Sequence, residues 1–411
     1  MDEKTKAEVF GIEDREDGAH LDEQVDPVDD KRILRKLDRY LLPVMAVSYF
    51  FQYLDKSTLS SAAIMGLNSD LHLSGEEYSW SSGIYYFGYL IASYPASYLM
   101  VKWNVGRVIC CSILAWGAVL MLMAASTNAS GLLATRFFLG AAEAAIAPGF
   151  TILISMFYKR EEQPLRQAAW FLGNTCAGLF AGLMNYGIGH INGIAAWKVT
   201  KQSITSISQH KLTALQASFL IFGGATVTWG ICNVFLLPDS PARAWFFNKT
   251  EAHTAVLRVK NNMTGMKNNK YNWSQLQEAL LDYKTWFFFF IQLSSNIPNG
   301  GVTTFRSLII KGIGFSTFDT LLLQCVPYLV QLALVISCTV GSTYLKNTRT
   351  YWMMMSFAIA LLGAALVREL PEHDKWGRYA GTCLMGANSA SFPLLMAMIS
   401  SNIGGFTKKA S

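Results

Sequence analysis

Residues 131–157 read GLLATRFFLGAAEAAIAPGFTILISMF. As a helix rising 1.5 Å per residue this stretch is roughly 40 Å long, more than the hydrocarbon core of a bilayer needs. It carries two charges, Arg136 and Glu143. Charge inside a bilayer is costly, so each is a functional candidate by default. They lie seven residues apart, two helical turns, and so share one face. Gly140, Ala141, Ala142, Ala144, Ala145, Ala147 and Gly149 give the stretch a small-residue surface on which helices approach closely. Pro148 predicts a bend or break, because its ring clashes with the carbonyl four residues earlier.

Nine further stretches have similar length and apolarity, near 40–60, 78–99, 107–126, 166–190, 218–237, 286–309, 318–340, 351–370 and 378–402. The whole chain of 411 residues is 52% hydrophobic, 13% aromatic and 15% charged, with mean hydropathy +0.26. A soluble domain carries about 25% charge. The composition therefore excludes a soluble enzyme, a disordered protein and a secreted disulfide scaffold. It predicts an all-α polytopic membrane protein.

The organisation follows from the charges. Residues 1–30 hold twelve of the 28 acidic side chains, so 1–37 is expected to be a disordered acidic tail ending in a basic lead-in, Lys31 to Lys36. Six spans follow over 38–237, then a polar loop over 238–285, then four spans over 286–411. Lys and Arg cluster in alternate loops, which places the N-terminus in the cytoplasm. The stretch 199–216, VTKQSITSISQHKLTALQ, puts Lys201 and Lys211 on the opposite side. It reads either as a retained intron or as a genuine outside loop. The four-span second half reads as a plan stopped two spans short.

The chemistry-bearing residues are few. Asp55 and Lys56 stand late in span 1, and counting rise alone puts them level with Arg136, with Glu143 roughly 10 Å deeper. A guanidinium fork matches a carboxylate, and burial favours the proton-bound form of a carboxyl group. That combination suits symport of an organic anion with protons. The residues also allow plainer roles: Asp55 and Lys56 solvated at the membrane edge, Arg136 and Glu143 a structural pair. In span 7, Asn296, Asn299, Gly300 and Gly301 suggest an interrupted helix of the kind that binds substrates. Arg306 is expected to snorkel to the outer edge. Asn388 and Ser389 are polar cavity candidates in span 10. The seven cysteines sit in apolar runs without metal-ligand spacing, and there is no Walker loop, GxSxG, HExxH or CxxC, so no enzyme, metal or cofactor is expected. The basic residues lie between spans, so nucleic acid is not an expected partner.

LDKSTLSSAA at 54–63, RFFLGAAEAAIAPG at 136–149, LPDSPARAWF at 237–246 and NGGVTTF at 299–305 resemble the fungal allantoate permease family. That family belongs to the anion:cation symporters of the major facilitator superfamily. The resemblance covers roughly 31–409 and implies the major facilitator fold, twelve spans and proton-coupled uptake of small organic anions such as allantoate, ureidosuccinate, nicotinate or pantothenate. It implies a monomer in the plasma membrane, with protons as the coupling ion and no other cofactor. By motif, Asp55 and Glu143 match the family's proton-linked carboxylates, and Arg136 matches its span-4 arginine. Lys56 stands where relatives often carry Arg, and Asn299 and Gly300 match the span-7 break. The pattern has no counterpart to 199–216, and it continues beyond GGFTKK at 404–409. A nutrient sensor on a transporter fold and a nonfunctional truncated product are the alternatives.

Overall fold

In the computed structural model the described residues are 27–65, 67–71, 73–190, 214–260, 277–278, 280–345 and 348–402. Their regular structure is helical throughout. The first half contains α1 (Pro27–Met65), α2 (Gly75–Lys102), α3 (Val105–Met123), α4 (Ala129–Glu143), α5 (Ile146–Phe157), α6 (Gln163–His190) and α7 (Ala214–Leu236). A 3-10 turn at Pro241–Arg243 and α8 (Lys249–Lys260) follow. The second half contains α9 (Tyr283–Gly312), α10 (Thr317–Leu323), α11 (Cys325–Tyr344), α12 (Arg349–Glu369), α13 (Lys375–Met385), a 3-10 stretch at Gly386–Ala390, and α14 (Ser391–Asn402).

Six of these rods are long and apolar enough to cross a membrane: α3, α4 with α5, α7, α10 with α11, α12, and α13 with α14. The other four expected spans lie in α1, α2, α6 and α9, which are 28 to 39 residues long. Their apolar character is diluted by polar groups turned inward, among them Gln52, Asp55, Ser81, Thr175, Asn185, Thr304 and Ser307, all buried. A helix that faces a polar interior on one side reads as less apolar than a helix packed against lipid all round.

Three rods are interrupted, each one turn before a proline. The gap after Glu143 precedes Pro148, the gap at Gln324 precedes Pro327, and the 3-10 stretch ending at Ala390 precedes Pro393. A proline supplies no N–H to the carbonyl four residues back, which frees the backbone there. The interruption expected at Asn299–Gly301 is absent: α9 runs unbroken from Tyr283 to Gly312, through Pro298. Glycine in a helix costs only about 1 kcal/mol, and lipid penalises an unpaired backbone group more heavily.

Helices of the first half touch backbone to backbone. An ideal Cβ on Gly140 would lie 1.9 Å from the Tyr85 carbonyl oxygen, and one on Gly88 would lie 2.1 Å from that of Phe137. This pair of contacts seats α2 on α4 with no room for a side chain between them.

Between the halves lies a seam of hydroxyl and aromatic contacts. Tyr53 and Tyr328 share a hydroxyl hydrogen bond of 2.9 Å, and Ser60 and Ser307 share one of 2.7 Å. Tyr78 donates to the Thr304 carbonyl, and Gln331 donates to Thr175. Phe171 stacks on Phe392 with ring centroids 5.1 Å apart.

The first boundary of the sequence reading needs correction. Residues 27–37 belong to α1 rather than to a tail, because Pro27 starts the helix and Asp29 and Asp30 suit its first turn. This segment is held by charge. Lys36 and Arg32 pair with Glu251 of α8 at 2.7 and 3.2 Å. Arg258, buried, pairs with both Asp30 and Glu162, and Lys159 reaches Asp30 at 2.8 Å. Arg166 grips Asp38 with two nitrogens, at 3.1 and 2.7 Å. The stretch expected as a loop, 238–285, thus includes a helix, α8, that caps this basic end of the first half. Of the unusual stretch 199–216, residues 199–213 lie outside the described residues, and α7 begins at Ala214.

Two outcomes follow. Gly140→Val is expected to cost more than the roughly 1–3 kcal/mol typical of overpacking, because the obstacle is backbone. Gly301→Ala, with no atom within 4 Å of its Cβ, is expected to be neutral or slightly stabilising. Melting temperatures of the two purified variants check this. Hydrogen bonding from Lys36 holds the Glu251 carboxyl below its ordinary value of 4.5. Its contribution is therefore complete above that value and is lost as the pH falls through the lowered one. Unfolding curves from pH 7 to 3 should show a weaker acid dependence in Glu251→Gln than in the unaltered chain.

Candidate functional site

Span 1 supplies three faces. Gln52 and Lys56 are one turn apart and point together, Tyr53 and Ser60 point to the seam, and Asp55 lies about 100° around from Lys56. The face with Gln52 and Lys56 meets Glu143 at the end of α4. Glu143 is 0% exposed. Its Oε2 accepts from Gln52 Nε2 at 2.9 Å and from the Tyr85 hydroxyl at 2.7 Å. Lys56 Nζ lies 3.4 Å from the same oxygen and 5.1 Å from the centre of the Tyr85 ring. Oε1 has no partner. One buried carboxylate oxygen thus gathers one cation and two neutral donors.

Two turns earlier on α4, Arg136 is buried with Nε and Nη2 unpartnered. No carboxylate of the described residues lies within 4.0 Å of it. Arg136 and Lys56 line a narrow cleft with Leu59, Ser60, Ser82, Tyr85 and Tyr86 from the first half and Thr303 and Thr304 from α9. The cleft sits on the seam, so both halves contribute to its wall. A guanidinium with free N–H groups beside an ammonium can pair with a carboxylate group.

Asp55 is elsewhere. It is fully buried between α1, α3 and α7, where its Oδ2 accepts from Trp116 Nε1 at 2.9 Å and Thr226 Oγ1 at 3.2 Å, and its Oδ1 has no partner. The expectation that Asp55 meets Lys56 and Arg136, with Glu143 out of reach of Lys56, is corrected on two counts. Consecutive helical residues diverge by 100°, so Asp55 and Lys56 face different neighbours. The long lysine side chain also spans the depth that rise alone assigns between it and Glu143. A solvated position for Asp55 at the membrane edge is excluded by its burial.

In the second half the candidates scatter. Asn388 ties its 3-10 stretch to α9, accepting from the Ser295 hydroxyl at 2.8 Å and donating to the Ser295 carbonyl at 3.0 Å. Ser389 is half-buried beside it. Asn299 is half-buried on α9, and Gly300 sits against Tyr86, whose hydroxyl would be 3.4 Å from a Cβ. Arg306 does not snorkel. It is buried, with its guanidinium carbon 4.5 Å from the centre of the Tyr328 ring. Sequence reasoning missed Gln52, Tyr85, Trp116 and Thr226. Gln52 was within reach, since it precedes Lys56 by one turn in an otherwise apolar run. Tyr85 stands among tyrosines that look alike until packing separates them.

The model of the Major Facilitator Superfamily matches residues 45–409. The chain belongs to that superfamily. It is 31% identical to the allantoate permease of Saccharomyces cerevisiae, over 94% of this chain and 70% of that protein. It is 34% identical to an uncharacterized transporter of Schizosaccharomyces pombe, over 92% of this chain and 69% of that one. A thiamine pathway transporter of Saccharomyces cerevisiae is 29% identical over 92% of this chain and 69% of its own length. Among solved structures, a bacterial proton:xylose symporter bound to a bromodeoxyglucose has the same fold, with a TM-score of 0.62 over 91% of this chain and 84% of that one, at 10% identity. These relatives make the chain a membrane transporter and not an enzyme.

Trp116→Phe removes one of the two donors to the buried Asp55 carboxyl group. It is expected to lower stability by about 1–3 kcal/mol, read as a drop in melting temperature. Asp55→Asn in the Trp116→Phe background should recover much of it.

Proposed function

We propose that the chain is a proton-coupled secondary transporter of small organic anions, working by alternating access between its two halves. The reading is carried by one observation: the buried Glu143 shares Lys56 with a cleft that also holds an unpaired, buried Arg136. Lys56 can neutralise either Glu143 or an incoming carboxylate. A proton on Glu143 ends its claim on the ammonium, and Lys56 then joins Arg136 in holding the anion. Loss of the proton restores the Lys56–Glu143 pair and weakens the hold. Proton and anion therefore travel together without a direct contact between them. Gln52 and the Tyr85 hydroxyl keep the carboxyl group in place in both charge states, since the hydroxyl can donate or accept.

The likeness to allantoate permease supports carboxylates of nutrient size as cargo, among them allantoate, ureidosuccinate, nicotinate and pantothenate. Asp55 is proposed as a second proton-linked carboxylate, acting from the α3–α7 side. The excess of Lys and Arg at the end that carries Arg166 and α8 supports a cytoplasmic position for that end and for the N-terminus. We take the protein to work as a monomer in the plasma membrane, without metal or organic cofactor.

Uptake into cells under an imposed pH gradient tests the coupling. Glu143→Gln is expected to bind the anion and to lose gradient-driven accumulation. Accumulation that still follows the gradient overturns the role of Glu143. Binding without accumulation in the unaltered chain replaces transport by sensing.

A further inference from the structure

The N-terminal end of α1 carries a row of cations without acids. The helix runs on past the Asp38–Arg166 pair as far as Pro27, and two of its faces there are already used. Ile33, Leu37 and Leu41 are each 1% exposed and recur every fourth residue, so one face is packed. Arg32 and Lys36 pair with Glu251 of α8. The remaining face holds Lys31, Arg35 and Arg39, also every fourth residue and about 200° around from the packed row. All three are exposed, and none has an acidic partner among the described residues. They stand about 6 Å apart along the axis, where like charges on a helix repel. At its membrane-side end the row meets aromatic rings. Tyr40 is 37% exposed and lies 5.3 Å from the rings of both Trp245 and Phe246. Trp245, 55% exposed, donates its indole N–H to the Leu236 carbonyl at the end of α7. Exposed Tyr and Trp at the ends of spans mark the headgroup level of a bilayer.

We propose that Lys31, Arg35 and Arg39 form a docking surface for the headgroups of anionic phospholipids in the leaflet at this end, whose phosphates supply the charge that the fold does not. Charge and depth both point to lipid. Arg39 adjoins Tyr40 and so stands at the level of the aromatic rings. Lys31 lies about 12 Å farther out along the axis. Long basic side chains reach back toward the membrane, and the field of an anionic leaflet extends about 8 Å at physiological salt. All three members of the row therefore fall within its reach, and basic residues beside a span strengthen attraction to anionic lipid one by one. The same turns of α1 present Arg32 and Lys36 to Glu251, so a lipid on the open face braces the α1–α8 contact from the other side. The competing occupant is the chain itself: residues 1–26 hold ten Asp and Glu just before the row. The aromatic rings at the row's lower end favour lipid over that segment.

The test uses the full chain, purified in detergent. Short-chain phosphatidylserine and phosphatidylinositol phosphate are the probes, phosphatidylcholine of the same chain length is the neutral control, and inorganic phosphate is the control without acyl chains. Affinity is read from ligand-induced thermal shifts. The unaltered chain is expected to bind at least one anionic lipid about tenfold more tightly than phosphatidylcholine, with the difference shrinking as salt is raised. Lys31→Gln, Arg35→Gln and Arg39→Gln combined should remove that preference and keep the affinity for phosphatidylcholine. The combined variant should melt no lower than the unaltered chain, because the three side chains are exposed and repel one another. Arg35→Glu alone should weaken the preference severalfold, and it carries the test if the combined variant does not fold. Equal affinity for the neutral and both anionic lipids in the unaltered chain overturns the proposal. So does a preference that survives in both variants. Inorganic phosphate that displaces the anionic lipid at equal concentration makes the row a site for free phosphate and overturns the lipid assignment. A preference absent from the full chain that emerges once residues 1–26 are removed gives the row to the acidic segment and overturns it as well.

Discussion

A carboxylate with no water around it must be neutralised by whatever the fold brings to it, and Glu143 sets this requirement for the first half. Satisfying Oε2 takes Gln52 and Lys56 from α1 and Tyr85 from α2. Three helices are thereby held at fixed distances around one oxygen. The small-residue face of α4 follows from the same need. Tyr85 reaches Glu143 because α2 lies against α4 at backbone distance, with Gly140 under the Tyr85 carbonyl. A larger residue would push the hydroxyl away from the carboxyl group.

Charge is distributed unevenly over the rest of the molecule. The basic end of the first half is knitted by ion pairs that join α1, the segment after α5 and α8. Exposed pairs contribute little, but Arg258 is buried and bridges two acids, and breaking such a pair is costly. The middle of the bundle holds Glu143 paired, Asp55 supported by neutral donors, and two arginines with unpartnered nitrogens. A structure that keeps cations idle at its centre has left stability unclaimed there, as binding sites do.

The all-helical class and the family were legible from apolar runs and short motifs, because hydropathy and motif order are local properties. The candidate residues were legible as an inventory, since charge in an apolar run is conspicuous. Their grouping was not. Rise along a helix gives depth, so it set Asp55 beside Lys56. Rotation gives direction, and rotation sends Asp55 to Trp116 and Lys56 to Glu143. The Gly300–Gly301 pair suggested a break by composition, yet the breaks lie where prolines remove a backbone donor. Arg306 was expected at the surface because a long cation near a helix end usually escapes there. Tyr328 and the burial of its surroundings hold it inside, and no sequence neighbour announces Tyr328.

The seam has one more implication. Among the described residues no ion pair crosses between the halves; several of the bonds that do cross join two hydroxyls, as in Tyr53 with Tyr328 and Ser60 with Ser307, and one ammonium, Lys311, donates to the Ile64 carbonyl. A hydroxyl gives up one such partner for a water molecule at small net cost, whereas a parted ion pair would strand a charge in a dry interior. Separation along these hydroxyl contacts would therefore break no ion pair. Water could take the place of each lost hydroxyl partner, and each ion pair keeps both of its charges on one side of the seam.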